Sequence, residues 1–280
     1  MIAALARDIR LEHSIFALPF AYLGMVLAAR GLPTLAQVIW ITVAMVSART
    51  LAMAANRLID RHLDARNPRT AGRALPTGRL KPQQVLAACI VSFAVFLFAS
   101  AQLNTLCLAL APLAAVIVVG YSYTKRFTWL SHLALGIADA IAPVGGWLAV
   151  AGSFDLQAVL LGLAVAAWIA GFDVIYACQD VEFDLANGLH SAPARFGVPT
   201  ALSISSGLHI VTVACLAALG PAAVLGVAYY VGVAVAAGLL AYEHRLVRPS
   251  DLSKLGMAFF NVNGYLAVAV FAFTLLGLYV

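Results

Sequence analysis

A chain of 280 residues that is 63% hydrophobic and only 10% charged, with a mean hydropathy of +0.96, lies far outside the range of water-soluble globular domains. Apolar spans of about 20 residues absorb its length as one membrane-embedded unit, residues 1–280. The net charge of +5 does not point to nucleic acid, because the basic residues crowd short segments between apolar runs, where they set membrane topology.

The apolar runs predict an all-α integral membrane protein with about nine spans, at 14–30, 34–56, 83–101, 104–122, 133–151, 156–178, 199–219, 221–242 and 256–279. Gly31 with Pro33, Gly152, Pro199, and Gly220 with Pro221 punctuate the boundaries. The third and fourth spans meet around Gln102 to Asn104. The first run follows Arg7 and Arg10 as a signal peptide would, but similar runs recur to the last residue, so it reads as a retained span. Cys89, Cys107, Cys178 and Cys215 lie singly in apolar runs without metal or redox spacing and read as packing residues. Of the 17 Lys and Arg, all but Arg30 and Arg49 fall at the N-terminus or in the second, fourth, sixth and eighth connections. The positive-inside rule makes that face cytoplasmic, with the N-terminus inside and the C-terminus outside a multi-pass inner-membrane protein. The long connections 57–82 and 179–198 then face the cytoplasm, and any chemistry they carry does too.

The second span runs into "NRLIDRHLD", residues 56–64, where Asn56, Asp60 and Asp64 recur at a spacing of four. On a helix that spacing stacks them on one side. Each aspartate in or beside the membrane core costs roughly 2.5–3.5 kcal/mol on insertion scales, so something must offset it. The sixth span runs into "FDVIYACQDVEFD", residues 172–184, whose Asp173, Asp180 and Asp184 are also predicted to share a helix face. Two acidic stripes brought together would repel, and divalent cations are the simplest remedy. Oxygen-only ligands select Mg²⁺ or Ca²⁺. Since Mg²⁺ is commonly bound by a few carboxylates plus substrate phosphates, a phosphate-bearing ligand is expected to complete the site. Arg57, Arg61, Arg66, Arg69, Arg73 and Arg79, with Lys125 and Arg126 in "YSYTKR", supply cations for an alternating network. An isolated helix-end aspartate is more often an idle, solvated ion-pair partner. Two stripes on one face tip the balance toward a site.

These residues resemble the UbiA superfamily of intramembrane aromatic prenyltransferases. "NRLIDRHLD" fits that family's N-x-x-x-D-x-x-x-D, "DVEFD" (180–184) its D-x-x-x-D, and "YSYTK" (121–125) its Y-x-x-x-K. "RTAGRALPTG" (69–78) is similar to the segment after the first motif in the 4-hydroxybenzoate polyprenyltransferase branch. The resemblance implies nine helices around a central cavity that opens to the cytoplasm and sideways to lipid. It also implies Mg²⁺ on Asp60, Asp64, Asp180 and Asp184, a polyprenyl diphosphate held with Asn56, and Lys125 and Tyr121 beside the departing diphosphate. The neighbouring Arg57, Arg69 and Arg73 are candidate substrate contacts. The chain departs from the hydroxybenzoate branch at Arg57, where an acidic residue is usual, and at Glu12 and His13 in "RLEHSIFALPF", where Lys-Pro is usual. "EHSIFALPFAY" and "LHSAPARFG" are more similar to a subgroup associated with menaquinone formation by the futalosine route. The acceptor expected is therefore 4-hydroxybenzoate or a dihydroxynaphthoate, with no nucleic acid and no obligate protein partner.

Arg49 lies seven residues before Asn56. It is read either as an internal salt-bridge partner or, like Arg10, as a grip for the acceptor's carboxylate. Asp173 either handles the acceptor's proton or hydroxyl or supports a neighbouring helix. Asp139 is expected in the cavity without an assigned role. Phe16, Phe20, Tyr22, Phe172 and Tyr176 read first as span packing and second as aromatic faces for an allylic cation. The six histidines show no metal spacing; His62 and His190 read as polar loop residues. "LGIADAIAPVGGW" supplies small residues for close helix approach. Competing readings are the same scaffold prenylating heme, chlorophyllide or a lipid, or a cation-coupled secondary transporter. Acids placed at helix ends rather than mid-span speak against transport.

Overall fold

The computed structural model describes residues 8 and 14–280, so Arg10, Glu12 and His13 lie outside the described residues. Long apolar stretches dictate helices, because in lipid every backbone N–H and C=O must be satisfied within its own segment. The helices are α1 (Ser14–Ala29), α2 (Leu35–Ile59), α3 (Pro82–Leu103), α4 (Thr105–Thr124), α5 (Ser131–Ala151), α6 (Leu156–Ala177), α7 (Val198–Ala223), α8 (Val227–Leu246) and α9 (Asn263–Gly277). Seven are long and apolar enough to cross a membrane; α1 and α9 are shorter apolar helices, and together they match the nine expected spans. The ninth expected span, 256–279, is not one uniform helix: Ala258–Val262 is a π-helical turn between Leu255–Met257 and α9.

Local signals set the boundaries. Thr34 caps α2 through a reciprocal pair with Gln37, its hydroxyl accepting from the Gln37 N–H at 3.2 Å. The junction of the third and fourth spans is a one-residue break: Asn104 caps α4 by accepting from the Cys107 N–H at 2.8 Å, and its amide donates to the Leu148 carbonyl of α5 at 2.8 Å. The four cysteines are free, with Cys89 and Cys178 buried and Cys107 and Cys215 partly so.

The helices close into a ring. Each consecutive pair from α1 to α9 packs together, α9 returns to α1, and α1 also lies along α5. Helix α6 is the most buried, with Leu161, Ala164, Ala170 and Val174 almost fully enclosed against α5 and α7. Small residues set the closest approach. A Cβ on Gly136 of α5 would run into the Ala166 carbonyl of α6, and one on Gly24 of α1 into the Pro143 carbonyl of α5.

Candidate active site

The charged connections meet at one end of the bundle. Helix α2 stops at Ile59, and Asp60 takes φ −90°, ψ 1°, before a separate short helix, Arg61–Arg66. The single uninterrupted helix face expected for Asn56, Asp60 and Asp64 is therefore bent. Arg126 holds this break, donating to the Ile59 carbonyl at 3.1 Å and to Asp60 Oδ1 at 2.9 Å. One-turn spacing survives, because the Asp60 N–H still donates to Asn56 and the Asp64 N–H to Asp60, at 2.9 and 2.8 Å.

Asp60 is 2% exposed and also accepts from Lys125 Nζ at 2.6 Å and from the Asn56 amide at 3.1 Å. Asn56 in turn donates to Ser122 Oγ at 3.2 Å and accepts from Arg57 Nη1 at 2.9 Å. Asp64 accepts from Arg73 Nη1 through both oxygens at 2.7 Å. Asp180 meets the fork of Arg69, Nε to Oδ1 at 3.2 Å and Nη2 to Oδ2 at 2.6 Å, and accepts from the Asn67 amide at 3.2 Å. Burial lowers the pKa of Arg69, but the hydrogen bonds and charge of Asp180 outweigh it and hold that guanidinium above its ordinary value. Asp184 accepts from Ser191 Oγ at 2.7 Å.

The second stripe departs from the expected single face. Helix α6 ends at Ala177 and tightens into a 3₁₀ turn, Cys178–Asp180, before the helix Val181–Ala186. Each 3₁₀ residue turns about 120° rather than 100°, so the phase drifts. Asp173, in α6 ahead of that turn, meets α5, where His132 Nδ1 lies 2.7 Å from its Oδ2, while Asp180 and Asp184, after it, serve the connections. Of the two readings of Asp173, the supporting bond to a neighbouring helix is present. Among the described residues no three His, Cys, Asp or Glu side chains converge as a metal-binding group; arginine, lysine and serine hold the carboxylates instead.

Beneath this network lies a mostly apolar cavity of about 670 Å³, walled chiefly by α2, α4, α5 and α6. Its polar lining includes Arg49, Tyr121 and Asp139, and Arg49 and Asp139 interact electrostatically. Tyr121 thus stands in the cavity wall while Lys125, four residues on, stands in the charged network. Phe20 and Phe172 also line the cavity and flank Trp168, with ring centroids at 4.7 and 5.4 Å.

Two participants were not foreseen. Asp8 lies 3.9 Å from Arg57 Nε and accepts from the Ala74 N–H at 2.8 Å, tying the start of the chain to the first motif. His132 bonds both Asp173 and the Ala192 backbone. An acid just before the first span was a readable signal for Asp8; nothing in the spacing marks His132.

A charged mouth over a mostly apolar cavity, in a bundle of apolar helices, defines an integral membrane protein with a site inside the membrane-spanning bundle. The chain belongs to the UbiA prenyltransferase family, whose model matches residues 17–277. It is 35% identical over 249 residues to a 4-hydroxybenzoate octaprenyltransferase of Aeromonas salmonicida, covering 88% of this chain and 84% of that protein. Among solved structures, the apo form of a UbiA homolog from Aeropyrum pernix K1 superposes with a TM-score of 0.87 at 34% identity, over 95% of this chain and 98% of that one. A UbiA homolog from Archaeoglobus fulgidus bound to DMAPP and Mg²⁺ shares the fold, with a TM-score of 0.72 at 19% identity over 95% and 98% of the two chains. The transporter reading is thereby set aside.

Proposed function

We propose that the protein transfers a polyprenyl group from polyprenyl diphosphate to the ring of an aromatic hydroxy-carboxylate, 4-hydroxybenzoate or a dihydroxynaphthoate, on the way to a membrane quinone. The observation that carries this reading is the junction at Tyr121 and Lys125, where an apolar cavity meets three aspartates, Asp60, Asp64 and Asp180, ion-paired with Arg69, Arg73, Arg126 and Lys125. The name of the Aeromonas relative supports the aromatic acceptor. We place the charged end at the cytoplasmic face on the distribution of Lys and Arg.

Asp60, Asp64, Asp180, Asp184 and Asn56 present only oxygen donors at this end, the set that suits Mg²⁺. These residues would hold the metal, which when bound supplies positive charge against the diphosphate. To hold it, these carboxylates would exchange some of their present arginine and lysine partners. The guanidinium groups of Arg69 and Arg73 and Lys125 Nζ would then be available to phosphate oxygens. In the transfer, the allylic carbon–oxygen bond breaks with its electron pair going to diphosphate, a bond forms between that carbon and a ring carbon, and the ring proton passes to a carboxylate, which we assign to Asp173. Lys125 stabilises the charge that grows on the leaving group. The apolar wall keeps water from the allylic cation.

Labelled polyprenyl diphosphate with a panel of acceptors and Mg²⁺, using protein in detergent, tests the reading. Product from an aromatic acid and its loss in excess chelator are expected; absence of product with every acceptor refutes it. Within the panel, Arg49→Met is expected to raise the acceptor KM about tenfold or more with the donor KM unchanged, because a guanidinium in the cavity pairs with the acceptor's carboxylate. Equal turnover by wild-type protein of an analogue lacking the carboxylate would assign Arg49 elsewhere.

A further inference from the structure

The segment from Leu189 to Ala192 follows the second acidic motif and is pinned at each residue. The Leu189 N–H donates to the Asp184 carbonyl at 2.9 Å, and the His190 N–H to the Lys125 carbonyl at 2.7 Å. Ser191 Oγ donates to the Asp184 carboxylate at 2.7 Å, and the Ala192 N–H donates to His132 Nε2 at 3.2 Å. The last bond fixes the ring's protons. A nitrogen that accepts carries no hydrogen, so the neutral ring holds its proton on Nδ1, where it is donated to Asp173 Oδ2 at 2.7 Å. His132 is buried, at 6% exposure, and stands at the start of α5. It therefore joins α5, α6 and the backbone one residue beyond the serine that holds Asp184.

We propose that His132 is a positioning residue for the diphosphate half of the site: by accepting from Ala192 it holds Ser191, and through Ser191 the carboxylate of Asp184, at the orientation that receives the prenyl donor. The inference rests on the functional reading above. A ring that supports only the helix packing would act equally through either nitrogen. A ring that sets Asp184 acts through Nε2.

The two amides separate these cases, since glutamine places an acceptor near the position of Nε2 and asparagine places a donor near that of Nδ1. Binding of farnesyl diphosphate with Mg²⁺ is measured by calorimetry on the full-length protein in detergent, alongside acceptor KM and amide hydrogen exchange of 187–197. His132→Ala and His132→Asn are expected to weaken donor binding about tenfold, the worth of one buried hydrogen bond. His132→Gln is expected to stay within about twofold of wild type, and acceptor KM to stay constant throughout. Exchange in 187–197 should quicken in His132→Ala and His132→Asn, with α5 and α6 unchanged. Ser191→Ala should reproduce the binding defect, and adding His132→Ala to it should cost little more. Rescue by asparagine but not glutamine, or unchanged exchange in His132→Ala, overturns the proposal. If wild-type protein binds no farnesyl diphosphate, the functional reading fails, and the exchange measurement still decides whether His132 holds the segment.

Discussion

Asp60→Ala is expected to remove prenyl transfer, lowering kcat/KM by about three orders of magnitude or more, while the protein still inserts in the membrane. Asp60 is where three side chains converge: its carboxylate accepts from Lys125 and Arg126, just past α4, and from Asn56 in α2. Truncation leaves two cations facing each other with no counter-charge between them. Lys125 and Arg126 are 34% and 31% exposed, so water screens part of that repulsion and the larger loss is of position. Lys125 would then move away from Arg126, and so away from the place where it must meet the leaving oxygen. Asp60→Asn keeps the shape and the Asn56 contact but loses the charge, so it separates electrostatics from packing. Its activity should fall nearly as far. Asp180→Ala should act similarly by freeing Arg69, whose fork now holds that carboxylate. Product formation at saturating Mg²⁺, with monodisperse elution in detergent as the check on folding, measures all three. Near-normal turnover in Asp60→Asn would show that the carboxylate is only a strut for α4.

The spans were legible because hydrocarbon imposes one requirement on every residue of a crossing segment, and composition alone reports whether it is met. The gathering of acids at the charged end was legible for a related reason: acids are too costly there to recur by chance. What periodicity missed is where the ideal helix yields. Arg126 takes the Ile59 carbonyl and α2 ends at Asp60; a 3₁₀ turn at Cys178–Asp180 shifts the phase of Asp180 relative to Asp173, which pairs with His132. A π turn at Ala258–Val262 similarly precedes Asn263. Pairings between distant segments were equally out of reach. His132 finds Asp173 across 41 residues, and the fully buried Glu243 accepts from Asn263, which accepts from Trp168 across 95. Such partners depend on which helices become neighbours, and hydropathy does not encode neighbours. The small residues of "LGIADAIAPVGGW" are an intermediate case. Their size announces a close approach, and only the fold says to what.

That approach gives the second large effect: Gly146→Val is expected to disrupt the bundle, lowering the apparent melting temperature in detergent by on the order of 10 °C and the yield of folded protein with it. Gly146 of α5 faces Ala21 of α1, and a Cβ there would overlap the Ala21 carbonyl; Gly24 of α1 meets the Pro143 carbonyl of α5 in the reciprocal manner. The obstacle in both places is backbone, which cannot rotate aside as a side chain would. Two helices packed through paired glycines must separate along their length, and with no hydrophobic drive between helices in lipid, the lost van der Waals contact has no replacement. Gly146 and Ala21 both line the cavity, so separation also opens the wall that keeps water from the allylic cation. Gly145 is the control. It lines the same cavity, but a Cβ there meets nothing within 4 Å, so Gly145→Ala should leave the melting temperature within about 2 °C of wild type. If Gly146→Val melts with the control, α1 and α5 tolerate a wider spacing than this packing allows. If Gly145→Ala falls as far as Gly146→Val, helix propensity and close contact cannot be the deciding terms, because alanine improves the first and leaves the second untouched.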